Sequence, residues 1–257
     1  MAEREELSKL RSERLLKYVK LGKIIELGCG TGATLSVLSQ HFPKSVIVGL
    51  DVSDKSLDKV TAKDLKNVIP VKGDVTDKIF PNFTFDTAIF KFSLHEVYSL
   101  GGDEGVVRAL TNAYNILKTD GVLIVYEHLK PYPCKVKMRV KSDKMKTRFI
   151  KFCEEFQPRK VECQKENEWV NLEKVNCLEF LTKYGSRDWE DEMKETHYFY
   201  TLDDFRHSLL NTGFSIKEHK KYKFERKIWR EKLEIADVDF QNPESYILIV
   251  ARKIRKA

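Results

Sequence analysis

The glycine-rich segment at residues 26–33 constrains the fold more than any other part of the chain. It reads Glu-Leu-Gly-Cys-Gly-Thr-Gly-Ala, and it joins the apolar run Ile24-Ile25 to a segment with leucines at helical spacing. Glycines let the backbone turn sharply and approach a ligand closely, because no Cβ intervenes. A strand, a glycine turn and a helix in this order predict a nucleotide-binding loop.

Short apolar runs alternate with helical segments through the first 130 residues. After the glycine loop, such runs lie at residues 46–50, 68–71, 85–90 and 122–126, the last preceded by an expected turn at 119–121. Alternation of this kind predicts βαβ units and a parallel sheet. Right-handed crossovers place a bound ligand beyond the carboxyl ends of the strands.

Three acidic residues stand at or after the ends of successive predicted strands: Glu26, Asp51 and Asp74. Gly28, Gly30 and Ala33 also fit a dinucleotide fingerprint, but a carboxylate at Glu26 would repel a pyrophosphate and favours a cationic ligand group. Asp51 is placed to accept hydrogen bonds from ribose hydroxyls, and Asp74 from an adenine amine. Each acid alone could equally cap a turn or lie on the surface.

The chain resembles the class I S-adenosylmethionine-dependent methyltransferase family from Lys23 to about Lys130, and more weakly at 201–214 and in the last strand. The resemblance rests on residues 26–32 (ELGCGTG), 48–53 (VGLDVS), 72–75 (KGDV), 85–90 (FDTAIF) and 117–125 (LKTDGVLIV). It implies an α/β fold with a doubly wound, seven-stranded, mostly parallel sheet whose last strand is antiparallel and forms a hairpin.

The same resemblance implies S-adenosylmethionine as the cofactor and S-adenosylhomocysteine as its product. The glycines would line the methionine moiety, while Asp51 and Asp74 would contact the ribose and the adenine. The residues expected to bind the cofactor are Glu26, Gly28, Cys29, Gly30, Gly32, Asp51, Val52, Asp74, Val75 and Lys91.

The alternation breaks between residues 131 and 200, which we interpret as a capping insertion before the last two strands. The expected organisation is a cofactor-binding core with an N-terminal helix at 1–130, a substrate lid at 131–200, and a helix and strand hairpin at 201–257 that complete the core. Three residues with ring side chains lie near the end of the insertion: His197, Tyr198 and Tyr200. They could approach the site from above or simply pack against neighbouring side chains.

Methyl transfer from a sulfonium depends chiefly on alignment, which contributes roughly 7–11 kcal/mol in well-oriented reactions. A base matters only where the acceptor must lose a proton. The candidates follow strands four and five: His95, Glu96 and His128, with Lys91, Ser93 and Glu127 nearby. The resemblance adds that many small-molecule members of the family have a histidine near the position of His95. The alternative is that His95 packs or caps the next helix.

The basic stretch between Lys130 and Lys160 leaves the acceptor open. Eleven of these residues are Lys or Arg against three acidic ones, and about +6 of the net charge of +7 lies beyond residue 130. Such a block commonly forms a solvated helix face, but it could also bind phosphates. The leading hypothesis is a small or medium-sized acceptor under the lid, and the alternative is transfer RNA or another RNA. Three further hypotheses remain open: methylation of a protein acceptor, an NAD-dependent dehydrogenase, and a binding module without catalytic activity.

The remaining features predict a cytoplasmic protein that does not enter membranes. No apolar run approaches the roughly 18 residues of a membrane span, and the first residues do not resemble a secretory signal. The five cysteines include no C-x-x-C pair, which favours reduced thiols and no metal site.

Overall fold

A computed structural model of the protein describes residues 2–140, 142–167, 169–186, 188–223, 235–236 and 244–254. Its main sheet begins with five parallel strands whose apolar side chains are largely buried. These are β1 (Lys23–Leu27), β2 (Val46–Asp51), β3 (Val68–Lys72), β4 (Phe85–Lys91) and β5 (Leu117–His128). The helices of this half are α1 (Ala2–Glu13), α2 (Ala33–His41), α3 (Asp54–Thr61) and α4 (Leu94–Ile116).

The C-terminal part completes the main sheet with two antiparallel strands. Helix α8 (Leu202–Thr212) precedes β9 (Phe214–Lys223), and β11 (Glu244–Lys253) lies between β9 and β5. The strand order is β3-β2-β1-β4-β5-β11-β9, with every pair among the first five parallel. The predicted seven-stranded, mostly parallel α/β fold is therefore confirmed.

Residues between β5 and α8 form a second, smaller layer with its own sheet. Its elements are β6 (Lys135–Val140), α5 (Asp143–Glu155), β7 (Cys163–Glu166), β8 (Trp169–Glu173), α6 (Lys174–Lys183) and α7 (Trp189–Glu192). A two-residue strand, β10 (Ile235–Ala236), pairs with β6 and completes the order β10-β6-β8-β7. The sequence patterns did not indicate this sheet.

One predicted boundary is wrong. The turn expected at residues 119–121 lies inside β5, which begins at Leu117. Asp120 has a φ of 60° there, and the register between β4 and β5 shifts between Phe85 and Thr87. The turn signal marks an irregularity within the strand rather than its start.

The core consists of separate apolar clusters that follow the division into a main sheet and a smaller layer. Two clusters, which include Phe90 and Ile124, contain side chains of the seven-stranded sheet and its helices, whereas a third, around Phe152 and Phe180, contains only side chains of the smaller layer. Among the described helices, none combines the length and apolar character needed to cross a bilayer.

Candidate functional site

The glycine loop joins β1 to α2 at the carboxyl edge of the main sheet. The backbone N–H groups of Gly28 and Cys29 donate to the carbonyl of Leu50 at 2.9 and 3.0 Å, which ties the loop to β2. Gly28 has a φ of 76°, and a Cβ there would lie 2.5 Å from Cβ of Ser93. Gly30 has a φ of 50°, yet a Cβ there would meet no atom within 4 Å. The loop therefore packs closely against Ser93, the residue before α4, at Gly28 and leaves open space beside Gly30.

Glu26 is a buried carboxyl at the end of β1 with incomplete hydrogen bonding. Its side chain accepts a hydrogen bond from Thr34, but its Oε2 has no partner within the described structure. Burial raises the pKa of Glu26 to about 7, although the charge of Lys91 and the Thr34 hydrogen bond act in the opposite direction. An unpaired buried carboxylate oxygen is costly, so this position favours a ligand that donates a hydrogen bond or carries positive charge.

Asp51 lies at the end of β2 and organises the loop from the other side. One carboxylate oxygen accepts from the N–H of Gly30 at 2.7 Å, and the other from the N–H of Ser53 at 2.9 Å. Because a carboxylate offers about four lone-pair sites, both oxygens keep capacity for further donors. Val52, the next residue, exposes its side chain to solvent.

The remaining predicted cofactor contacts follow the same edge of the sheet. Asp74 is exposed, and its Oδ1 accepts from both the N–H and the hydroxyl of Thr76 at 2.7 Å. Val75 beside it is buried. The thiol of Cys29 is also buried, which raises its pKa. These predicted contacts thus comprise one exposed carboxylate, one buried apolar side chain and one buried thiol.

Lys91 extends the site to the end of β4. Burial lowers the pKa of its ammonium, the nearby Glu26 raises it, and the charge of Arg11 lowers it further. Arg11 comes from α1, donates to the hydroxyl of Tyr246 at 2.9 Å and lies over the ring of Phe92. Charges of both signs thus face one another between β1, β4 and the N-terminal helix.

His95 and Glu127 form a buried pair next to the glycine loop. Nδ1 of His95 lies 2.9 Å from Oε1 of Glu127, and both side chains are nearly inaccessible to solvent. Burial disfavours the charged imidazole, but the charge and hydrogen bond of Glu127 outweigh it and raise the pKa of His95 to about 9. His95 is therefore an imidazolium at neutral pH.

Glu127 is itself held by the backbone. The N–H of His128 donates to Oε1 at 2.8 Å, and the N–H groups of Leu94 and His95 donate to Oε2 at 3.1 and 3.4 Å. These bonds join the end of β5 to the first turn of α4. The hydroxyl of Ser93 donates to the carbonyl of Leu27 at 2.8 Å, which brings this turn beside the glycine loop.

Three histidines meet at this point, and we call them the histidine chamber. The ring centres of His95 and His197 are 4.7 Å apart, those of His128 and His197 4.9 Å, and those of His95 and His128 5.4 Å. His95 belongs to α4 and His128 to β5, whereas His197 comes from the end of the insertion. Glu96, by contrast, is exposed in the first turn of α4.

His197 is positioned by buried charges of the smaller layer. Nζ of Lys183 lies 2.8 Å from its Nδ1, and Glu179 accepts from its backbone N–H at 3.3 Å. Burial lowers the pKa of His197, and the charges of Lys183 and His95 act in the same direction. The chamber therefore combines a charged His95 with a neutral His197.

The donor chemistry of the chamber fits a histidine–carboxylate pair better than a metal centre. His95, Glu127 and His128 offer ligand atoms within 4.8 Å of one another. Both oxygens of Glu127, however, already accept N–H donors. At His197 the ammonium of Lys183 donates to Nδ1, which leaves the proton on Nε2.

Sequence reasoning missed the residues that support the chamber. Glu179 and Lys183 are fully buried on α6, and Glu179 also accepts from Arg159 at 3.1 Å. Their four-residue spacing is visible in the sequence, but it is typical of exposed helical ion pairs. Arg11 could not be predicted as part of the site, because nothing in the sequence around it indicates that α1 packs beside Lys91.

Comparisons with known proteins find similarity to methyltransferases over part of the chain. Residues 25–123 match the model of a family described as a methyltransferase domain. Over 123 residues the chain is 27% identical to the demethylmenaquinone methyltransferase of Listeria monocytogenes, which covers 46% of this chain and 49% of that protein. Over 55 residues it is 38% identical to the trans-aconitate 2-methyltransferase of Deinococcus radiodurans, or 21% of each chain. The chain thus spans about half or less of these relatives.

The fold is shared with solved methyltransferases over nearly the whole chain. A structure of an S-adenosylmethionine-dependent methyltransferase from Methanosarcina mazei superposes with a TM-score of 0.57 at 13% identity. The match covers 95% of this chain and 98% of that one. It therefore extends beyond the residues that the sequence comparisons reach.

Proposed function

We propose that the chain is a class I S-adenosylmethionine-dependent methyltransferase and that it methylates a small or medium-sized acceptor bound at the histidine chamber. The observation that carries the proposal is the convergence of His95, His128 and His197 beside the glycine loop. Two of these residues belong to the cofactor-binding half, and the third belongs to the segment that we interpret as a lid.

The residues at the sheet edge fit the cofactor. S-adenosylmethionine supplies an electrophilic methyl group on a sulfonium, together with a free amino group. The unpaired Oε2 of Glu26 suits the amino group, and the open space beside Gly30 suits a ligand that approaches the backbone closely. Asp51 would accept from the ribose hydroxyls through its remaining lone pairs, and Asp74 from the adenine amine.

His95 would bind the acceptor as a cation. Because Glu127 keeps the imidazole protonated, His95 is suited to hold an oxyanion or another anionic nucleophile in place rather than to remove its proton. The acceptor class we infer is therefore one that binds in an ionised form. His128 would border the same nucleophile, and Glu96 would act only at the mouth of the site.

The insertion would close the chamber over the acceptor. The hydroxyl of Tyr200 donates to Asp103 at 2.7 Å, and the N–H of Thr196 donates to the hydroxyl of Ser99 at 2.9 Å. Both contacts join the end of the insertion to α4. Exclusion of water by such a cover strengthens the interaction between His95 and an anion.

The relatives support a small acceptor. Their names give demethylmenaquinone and trans-aconitate as the molecules they methylate, and both are small molecules.

The first test is cofactor binding followed by methyl transfer. We expect S-adenosylmethionine and S-adenosylhomocysteine, but not NAD, to raise the melting temperature. A ligand at a hundredfold over its Kd stabilises a fold by about 2.7 kcal/mol. With a labelled methyl donor, label should enter the small-molecule fraction of a cell extract and not the RNA or protein fraction.

His95→Gln should lower the transfer rate by about 10²- to 10³-fold, as removal of a donor to an anion does, while leaving the Kd for S-adenosylmethionine nearly unchanged. The exposed His41→Gln serves as the matched control. Label in the RNA fraction would show that the acceptor is RNA and not a small molecule. A melting temperature that neither S-adenosylmethionine nor S-adenosylhomocysteine raises would refute the methyltransferase activity itself.

A further inference from the structure

A half-buried carboxylate, Glu195, lies beside the histidine chamber. A carboxylate oxygen of Glu195 and one ring nitrogen each of His95 and His197 lie within 4.8 Å of one another. Glu195 follows α7 in the smaller layer, whereas His95 belongs to α4. The insertion therefore brings an acidic side chain close to the imidazolium that we assign to acceptor binding.

The separation between His95 and Glu195 suits one bridging oxygen atom. Nδ1 of His95 is 2.9 Å from Glu127, so its Nε2–H is the donor that remains for a ligand. Two hydrogen bonds of about 2.8 Å that meet at one oxygen can span up to about 5.6 Å. The ring nitrogen and the carboxylate oxygen lie within that span. A hydroxyl group placed here can accept from His95 and donate to Glu195 at the same time.

The surroundings of Glu195 make its carboxylate a stronger base than an exposed one. Burial is the main cause, and it raises the pKa of Glu195. The charges of His95 and Lys183 act in the opposite direction without cancelling the effect of burial. The charges of Glu192 and Asp191, on and beside the same short helix, raise the pKa further. Glu195 therefore accepts a proton more readily than an ordinary glutamate does.

We propose that Glu195 is the general base for methyl transfer to an acidic hydroxyl, such as that of a phenol or an enol, bound between Glu195 and His95. This inference rests on the proposed function, since it takes the histidine chamber as the acceptor site. A phenol has an ordinary pKa of about 10 and can give its proton to a carboxylate of raised pKa. An aliphatic alcohol is too weak an acid for this base.

The step balances in protons and electrons. The O–H bond of the acceptor breaks and its proton passes to Glu195, while the Nε2–H of His95 holds the oxygen. An electron pair of the oxygen forms the bond to the methyl carbon, and the carbon–sulfur bond breaks with its pair going to sulfur. The products are the methyl ether, S-adenosylhomocysteine and protonated Glu195, which returns its proton to water.

The first readout is binding in the absence of a methyl donor. The probe is 2,4-dinitrophenol, which is ionised at pH 7 and has no hydroxyl proton left to give. Glu195→Gln should leave its Kd unchanged or lower it, because a negative charge beside the bound anion is removed. His95→Gln should raise the Kd at least about tenfold, which corresponds to about 1.4 kcal/mol, because the cation is lost. Absorbance titration of the full chain measures both.

The second readout is methyl transfer from labelled S-adenosylmethionine to phenol, which keeps its proton at pH 7. Glu195→Gln should lower the rate about 10²- to 10⁴-fold. Glu190→Gln is the matched control, because it makes the same change at an exposed position of α7, and it should change the rate less than about twofold. A retained rise in melting temperature with S-adenosylmethionine shows that each variant is folded.

Two results on the Glu195→Gln variant overturn the proposal. One is transfer to phenol at the wild-type rate. The other is a Kd for 2,4-dinitrophenol that rises as much as in His95→Gln, since parallel losses indicate a structural role for Glu195. Transfer that depends on His95 but not on Glu195 keeps the proposed function and removes only this base.

Two results on the wild-type chain overturn it as well. Transfer that a chelator abolishes and a divalent cation restores would mean that Glu195, His95 and His197 bind a metal. Absence of binding and of transfer with both phenols up to about 1 mM would exclude the acceptor class.

Discussion

The pKa values of Glu26 and His95 are both raised, but for opposite reasons. Glu26 is buried with one carboxylate oxygen unpaired, so its neutral form is favoured. His95 is equally buried, but Glu127 accepts a hydrogen bond from its ring and favours the charged form. One residue is thus prepared for a cationic ligand group, and the other for an anionic one.

The titration of Glu26 predicts pH-dependent cofactor affinity. Its folded pKa of about 7 lies above the ordinary value of 4.5, so the ligand-free protein loses stability as pH rises from about 4.5 to 7. The total is at most about 3.4 kcal/mol at 1.36 kcal/mol per pKa unit. The amino group of S-adenosylmethionine favours ionised Glu26, so its Kd should fall toward pH 7 and level off above it. Calorimetry across pH 5–8 measures this.

Glu26→Gln is the control for that titration. The amide keeps the shape of the side chain but cannot ionise, so the Kd should be weaker at pH 8 and nearly independent of pH. A wild-type Kd that stays constant between pH 5 and 8 would contradict the role given to this carboxyl.

Gly28 and Gly30 should respond differently to alanine, although both have a positive φ. A Cβ at Gly28 meets Ser93 at 2.5 Å, so Gly28→Ala should lower both the melting temperature and the affinity for the cofactor. Gly30→Ala meets open space and should cost only the left-handed backbone penalty of about 1–2 kcal/mol. Its larger effect should be on the Kd for S-adenosylmethionine. If cofactor affinity is retained in Gly30→Ala, the ligand does not approach this loop.

At the scale of single residues, candidate site residues could be predicted where the neighbouring sequence determines their position. Glu26 and Asp51 were predicted because a strand, a turn and a helix follow one another around them. Glu179 and Lys183 were not, since their burial depends on Arg159 and His197 from distant parts of the chain. No local pattern distinguishes a buried ion pair on α6 from an exposed one.

Among the elements, helix α8 begins at a capping residue whose contribution to stability can be measured. Thr201 accepts from the N–H of Asp204, while Asp204 accepts from the N–H of Thr201, which forms a capping box. Thr201→Ala should lower the free energy of unfolding by about 0.5–2 kcal/mol without changing the Kd for S-adenosylmethionine. Chemical denaturation measures the loss. Thr147→Ala, at an exposed position inside α5, should cost clearly less.

The elements of the main sheet were predictable because each carries its own signal. Buried parallel strands read as short apolar runs, and their order follows from right-handed crossovers. The smaller sheet was not predictable, since β7 and β8 have four and five residues and mixed polarity. Its fourth strand, β10, comes from a segment 95 or more residues beyond β6 in the chain, and local periodicity carries no information on such pairings.

For the molecule as a whole, separate apolar clusters predict separate local stabilities. Phe152→Ala removes a ring from the cluster of the smaller layer, at a cost of about 3–5 kcal/mol. Hydrogen exchange should then accelerate in residues 135–193, while the amides of β1 to β5 remain protected. Phe85→Ala, in the main core, should give the reverse pattern. Uniform acceleration in both variants would mean that the two layers unfold together.

The hydrogen bond from the N–H of Lys130 to the carbonyl of Tyr200, at 2.9 Å, has a consequence for how the insertion tolerates change. This bond brings the two ends of the insertion together, so the 69 residues between Lys130 and Tyr200 are closed at their base, and β10 adds a further contact at β6. A loop of this kind can be exchanged, shortened or elaborated while the flanking strand and helix keep their positions. Changes confined to residues 131–199 therefore leave the glycine loop and the strand ends beside it in place.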